Sequence, residues 1–167
     1  LEQTHTSLPL LCFFRSIEST RSWATAAGCI LDAAAITVSS LDIQRDPEAE
    51  LMIRAGYVAL RRISDYFSIQ YDPDPAPEDP ISIQRVEFEA MWDKLAQEGV
   101  PLKRDRDQAW IDFAGWRVNY DTVLLALAAL TVAPPAPWSS DRAPARRRPP
   151  ITRRVGLGAS RPGTRRT

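Results

Sequence analysis

The chain has few of the residue types from which most active sites are built. Its 167 residues include one histidine, His5, and two cysteines, Cys12 and Cys29. One histidine and two separated cysteines provide neither a zinc-binding set nor a disulfide framework, which favours a reducing compartment. A nucleophile elbow of the G-x-S-x-G type is also missing. We therefore expect no metal site, no cofactor and no catalytic residues.

Long hydrophobic runs are missing as well. The longest stretches of low charge are residues 24–41 and 122–137; Asp32 interrupts the first, and prolines interrupt the second. A membrane-spanning helix needs about 20 apolar residues. Residues 8–14 are too short for the hydrophobic core of a signal peptide and lack a basic flank. We expect neither a membrane span nor a signal peptide in this sequence.

The two signs of charge are separated along the chain. Residues 137–167 contain nine arginines and one aspartate, whereas residues 1–136 contain 12 basic and 20 acidic residues. An acidic body argues against a specific nucleic-acid partner, because phosphate binding needs a basic face. The arginines of the basic tail suit nucleic acid or anionic lipid, but we favour a solvated, non-specific tail.

Helical periodicity dominates the middle of the chain. Apolar residues recur at helical spacing in four stretches, at roughly 19–40, 47–68, 82–98 and 106–132. Residues 71–80, YDPDPAPEDP, contain four prolines, which exclude a helix there and predict an exposed acidic linker. The sequence does not exclude a short strand at residues 8–14. The sequence predicts an all-α fold, either a four-helix bundle or two packed helical hairpins.

The chain divides into three parts on composition. Residues 1–18 are expected to be irregular, residues 19–133 form the helical domain, and residues 134–167 are a tail rich in proline and arginine. The tail has too few apolar residues to offset the entropy of ordering it, so we expect it to be disordered.

Local signals mark several helix ends. Asp46 is the expected N-cap of the second helix, and Asp105 that of the fourth. Ser82 or Asp79 is expected to cap the third helix. Gly99 suits the left-handed position that follows the third helix.

The apolar stripes also predict core residues. The fourth helix has the most large apolar side chains, and its residues Trp110 and Phe113 are expected to lie in the core. The expected core stripe of the second helix is Met52, Gly56, Ala59, Ile63 and Tyr66.

Asp32 is the most unusual residue, because it lies in the middle of the apolar first helix. A buried carboxylate needs a cation or hydrogen-bond donors. One interpretation is a general base or a switch; the simpler one is an ion pair with Arg54 or Arg117. We favour the ion pair, because no nucleophile or second base accompanies Asp32.

A second polar group lies within WIDFAGWRVNYD, residues 110–121. Arg117 and Asp121 are four residues apart and can pair on one helix face. Trp116, Asn119 and Tyr120 form either an aromatic pocket or the polar edge of a core helix, and we favour the second interpretation. The candidate structural or interaction residues are Arg15, Asp32, Arg54, Arg117, Asn119, Tyr120 and Asp121.

Several motifs resemble the cytosolic C-terminal region of bacterial two-transmembrane, potassium-channel-like proteins. The shorter ones are THTSLP (4–9), FFRS (13–16), SW (22–23) and LDAAA (31–35). The longer and more specific ones are DRDQAWIDFAGWRVNYD (105–121) and APPAPWSSDR (133–142). Together they cover about residues 1–142.

The resemblance implies a helical domain that follows a pore module on the cytoplasmic side of the bacterial inner membrane. The resemblance implies an upstream transmembrane pore segment as a partner, but the family pattern does not tell whether the domain senses a ligand or assembles subunits. Because the first helix is apolar on most of its surface and channel-like proteins are symmetric oligomers, we expect a weak homo-oligomer with neighbouring subunits. The glycine-rich filter that conducts ions lies outside this sequence, and no catalytic residues carry over. Two alternatives stay open: a free-standing cytoplasmic dimerisation module, and an enzyme with an all-helical pocket around Asp32 and Arg117.

Overall fold

Five α-helices make up most of the structure, a computed structural model that describes residues 9–13 and 21–143. The helices are α1 (Trp23–Ser40), α2 (Pro47–Tyr66), α3 (Arg85–Gln97), α4 (Arg106–Arg117) and α5 (Asp121–Leu130). Short 3₁₀ helices lie at Pro9–Phe13 and Ser140–Arg142. These residues contain one isolated bridge, Leu41 to Leu102, and no strand. The all-α prediction is confirmed, and the proposed strand at 8–14 is a 3₁₀ turn over its described part.

Two helices begin at the N-cap residues that the sequence predicts. Asp46 Oδ1 accepts a hydrogen bond from the Glu48 amide at 2.9 Å, and Asp105 Oδ1 accepts one from the Gln108 amide at 2.9 Å. After α3, Gly99 has a φ of 76°, the left-handed conformation expected for it.

The cap of α3 differs from the prediction. Neither Ser82 nor Asp79 caps this helix; Gln84 does, and the Glu87 side chain accepts a hydrogen bond from the Gln84 amide at 2.8 Å. Ser82 is engaged elsewhere, because its amide and hydroxyl both donate to Asp121. Ser82 thus bonds to a residue distant in the sequence instead of capping α3.

The predicted fourth helix is two helices, α4 and α5, separated by residues 118–120. The Asn119 side chain donates to the Gly115 carbonyl at 3.0 Å, and the Tyr120 amide donates to the Arg117 carbonyl at 3.1 Å. These local bonds replace regular helical ones. Apolar spacing continues across the break, so periodicity alone could not reveal it.

The core lies where α1 packs against α2, α4 and α5. Its largest apolar side chains with essentially no exposure are Phe88, Phe113, Ile53, Leu60, Ile63, Leu124 and Leu127. Phe113 is therefore core as predicted, whereas Trp110 is only partly buried at its edge. The helices α1 and α2 approach closely because Gly56 leaves room for Leu31; a Cβ there would overlap the Leu31 side chain.

The buried face of α2 is rotated from the predicted one. Met52 and Tyr66 are 49% and 57% exposed, and the buried apolar residues are Ala49, Ile53, Leu60 and Ile63. Two neighbouring faces of α2 carry apolar residues at helical spacing, so the spacing does not show which of the two faces is buried. The row containing Ile53 and Leu60 is buried, and Met52 faces outward.

Residues 134–143 belong to the packed structure, although composition places them in the tail. The Trp138 ring lies 5.8 Å from that of Phe113, and Arg142 forms an ion pair with Glu87. A large aromatic and an ion pair anchor this short segment despite its prolines. The predicted disorder of residues 144–167 and the candidate Arg15 lie outside the described residues.

By length and mean hydropathy, α1 is able to cross a membrane, with a mean hydropathy of 1.2 over 18 residues. However, 44% of that stretch is buried inside the protein, and Asp32 within it is ion-paired with Arg117. We interpret α1 as a core helix.

Candidate functional site

Arg117, the last residue of α4, is fully buried and joins three parts of the fold. Its guanidinium forms an ion pair with Asp32 of α1 through Nη1. Nε donates to Asp121 Oδ1 of α5 at 2.8 Å, and Nη2 donates to the Trp138 carbonyl at 2.5 Å. The rigid fork of guanidinium donors suits such a junction, since it serves several acceptors at once.

Asp32 thus pairs with Arg117 rather than with Arg54, which settles the alternative left open by the sequence. Its Oδ1 also accepts a hydrogen bond from the Tyr120 hydroxyl at 2.8 Å. The Arg117 guanidinium lies 5.1 Å from the centre of the Tyr120 ring, within the range of a cation–π contact.

Asp121 is the second carboxylate of the group, and the predicted Arg117–Asp121 pair is present. Its Oδ1 also accepts from the Ser82 hydroxyl at 2.7 Å, and its Oδ2 from the Ser82 amide at 2.8 Å. A carboxylate in the first turn of α5 is further favoured by the helix dipole. We call Asp32, Ser82, Arg117, Tyr120 and Asp121 the Arg117 cluster.

Burial controls the protonation of this cluster. Burial alone lowers the pKa of Arg117, but the carboxylates of Asp32 and Asp121 outweigh it and raise that pKa, so the guanidinium stays charged. Burial raises the pKa of Asp32 from its ordinary 3.8, and Arg117 offsets only part of this effect. Burial and the nearby Asp32 raise the pKa of Tyr120 well above 10, so its hydroxyl remains a donor.

Arg54 and Asn119, the remaining described candidates, lie apart from the Arg117 cluster. The exposed Arg54 lies 5.5 Å from the Trp116 ring. Asn119 accepts from Arg61 through its carbonyl at 3.1 Å and through Oδ1 at 3.3 Å. Trp116 and Asn119 line a surface cavity of about 410 Å³, whereas Tyr120 lies in the core. The three residues therefore do not form one aromatic pocket.

Sequence reasoning missed Ser82 and Trp138 as members of this arrangement. The sequence around Ser82 indicates only a helix cap, and nothing in it signals a partner 39 residues away. Trp138 lies in a motif of the resemblance, but its contribution is a backbone carbonyl, which any residue supplies.

The Arg117 cluster is suited to holding helices together. Arg117 and Tyr120 are fully buried, and the exposed fractions of Asp32 and Asp121 are 7% and 6%, so a substrate has little access to the charged groups. The described residues contain no group of three His, Cys, Asp or Glu side chains that could hold a metal ion. An interior of paired charges fixes the relative positions of α1, α4 and α5.

A second candidate surface is an open apolar groove between α1 and α2, with a volume of about 400 Å³. Ile30 and Met52 stand at its rim and are 53% and 49% exposed. Its remaining lining is Ala27, Leu31, Ala55, Gly56, Ala59 and Leu60. Among the described residues, no charged side chain lines this α1–α2 groove, which is typical of an interaction surface.

Comparisons of the chain with protein-family models, with curated proteins and with solved structures give no match.

Proposed function

We propose that this chain is a non-catalytic assembly or regulatory domain of a bacterial potassium-channel-like membrane protein, on the cytoplasmic side of the inner membrane. The observation that carries the assembly role is the α1–α2 groove, an apolar surface with exposed Ile30 and Met52. The resemblance supports the attachment to a pore.

The occupant that best fits this groove is a second copy of the chain. Ile30 and Met52 project from the rim, while Gly56 and its alanine neighbours leave a depression beside them. A surface with both a projection and a depression can pair with itself about a two-fold axis, as most homodimer interfaces do. The small residues permit close approach of the facing helices.

The contact is expected to be weak in isolation. Subunits attached to one pore are held at an effective concentration in the millimolar range, so a weak contact is sufficient there. The same contact in the free chain requires high protein concentration to be seen.

Sedimentation of the full chain at rising concentration tests the assembly role. Ile30→Glu and Met52→Glu should each weaken self-association about tenfold or more, because each buried apolar side chain contributes about 1.5–3 kcal/mol. Val86→Glu is the matched control, since Val86 on α3 is also exposed and lies outside the groove. A strict monomer at millimolar concentration removes the assembly role.

The coding sequence upstream of Leu1 tests the attachment to a pore. Two membrane spans flanking a glycine-rich filter would support it. Self-association without such a segment would favour the free-standing dimerisation module, which the groove supports equally. The enzyme alternative has the least support, because Asp32 and Arg117 are buried and already paired.

A further inference from the structure

The buried charges of the Arg117 cluster do not balance. Two carboxylates, Asp32 and Asp121, surround one guanidinium, and all three residues are at most 7% exposed. With both carboxylates ionised the cluster has a net charge of −1. An unbalanced charge away from water is costly, and the usual response is that a group becomes neutral.

The surroundings determine which carboxylate takes the proton. Asp121 accepts hydrogen bonds from Arg117, from the Ser82 hydroxyl and from the Ser82 amide, at the positive end of α5. Asp32 lies in the middle of α1 with Arg117 and the Tyr120 hydroxyl as partners. Asp32 therefore has fewer donors than Asp121 and no helix N-terminus beside it, so its carboxyl is the one expected to take the proton.

We infer that Asp32 is a proton-binding site, and that protonation of its carboxyl strengthens the attachment of α1 to α4 and α5. The groups facing Asp32 are Arg117 from α4, Tyr120 from the turn before α5, and Asp121 from α5. The helix α2 also packs on α1, but within the described residues it presents no charged side chain to the Asp32 carboxyl. The direction of the Asp32 pKa, raised by burial, agrees with this assignment.

The stability of the fold should respond to acidity through Asp32, independently of any assembly role. Because the Asp32 pKa is higher in the folded chain, the folded state binds this proton more tightly than the unfolded state does. Stability therefore falls as pH rises through the window between 3.8 and the folded pKa, and the loss is complete above it. Below the folded pKa of Asp32, α1 should be held more firmly than above it.

The direct test is a carboxyl NMR titration of the full chain from about pH 2 to about pH 8, a range that includes the ordinary pKa of 3.8. The Asp32 carboxyl carbon is assigned through its own backbone, so no variant is needed. We expect its midpoint above 3.8 and slower exchange of the α1 amides near Asp32 on acidification, after correction for the intrinsic effect of pH. A midpoint at or below 3.8 would overturn the inference.

A second test compares urea unfolding of the full chain with that of Asp32→Asn and of Asp74→Asn, an exposed control in the acidic linker. Within the window, the unfolding equilibrium of wild type relative to Asp32→Asn should change by up to about tenfold per pH unit, in favour of wild type as pH falls. Asp74→Asn should follow wild type. Parallel curves for wild type and Asp32→Asn would contradict proton binding, and the NMR titration decides the matter if Asp32→Asn does not fold.

Discussion

Arg117 and Asp32 are 85 residues apart in the sequence and form an ion pair in the interior, with the guanidinium fully shielded from water. The pair joins the end of α4 to the middle of α1. Loss of Arg117 would therefore leave two buried carboxylates without a cation, whereas loss of Asp32 leaves Arg117 paired with Asp121.

Arg117→Met should be the most damaging single substitution in the cluster. It leaves Asp32 and Asp121 buried without a cation, and breaking a buried pair in this way costs about 3–5 kcal/mol. Arg54→Met is the control, since Arg54 is exposed and its contact with Trp116 contributes about 0.5–1 kcal/mol. Urea unfolding measures both variants, and equal losses would show that the Arg117 cluster does not stabilise the fold.

The double variant Arg117→Met with Asp32→Asn should lose less stability than the sum of the two single variants. Each single change removes one partner of the same contact, and residues in direct contact couple by about 0.5–3 kcal/mol. Strict additivity in the same unfolding measurement would mean that Arg117 and Asp32 act independently.

The sequence predicts the helices and the pairing of nearby side chains better than it predicts how the helices pack. The N-caps Asp46 and Asp105 and the pairing of Arg117 with Asp121 depend on residues close in sequence, and local spacing is enough to find them. The choice between Arg54 and Arg117 for Asp32 depended on how α1 lies against α4. The break at residues 118–120 and the rotation of α2 are likewise decided by packing, because either arrangement satisfies the apolar periodicity.

The Glu87–Arg142 ion pair should give a pH dependence opposite to that of Asp32. Its hydrogen bond from Arg142 lowers the pKa of Glu87 from the ordinary 4.5. The stability from this pair is therefore fully present above 4.5 and is lost as pH falls through the folded pKa. Unfolding of Glu87→Gln should differ most from wild type at neutral pH and least in acid. A gap that widens in acid would refute this assignment.

Phe113 and Trp110 should differ in their contribution to stability, although the sequence places both in the core. Phe113 has no exposed surface, whereas Trp110 is partly exposed. Phe113→Ala should cost about 3–5 kcal/mol, the range for a large buried aromatic, and Trp110→Ala should cost less. Thermal or urea unfolding ranks the two variants, and a larger loss at Trp110 would contradict the packing described here.

Two helical glycines should respond in opposite ways to the same substitution. Alanine is favoured over glycine within a helix by about 1 kcal/mol. At Gly115 the new Cβ would lie 3.4 Å from Pro77, an ordinary contact, so Gly115→Ala should be stabilising or neutral. At Gly56 it would overlap the buried Leu31 side chain where α1 crosses α2, and overpacking costs about 1–3 kcal/mol. Gly56→Ala should therefore be destabilising or at best neutral, and less stable than Gly115→Ala. Urea unfolding of both variants compares them directly. A Gly56→Ala protein at least as stable as Gly115→Ala would mean that α1 and α2 are not held at this distance.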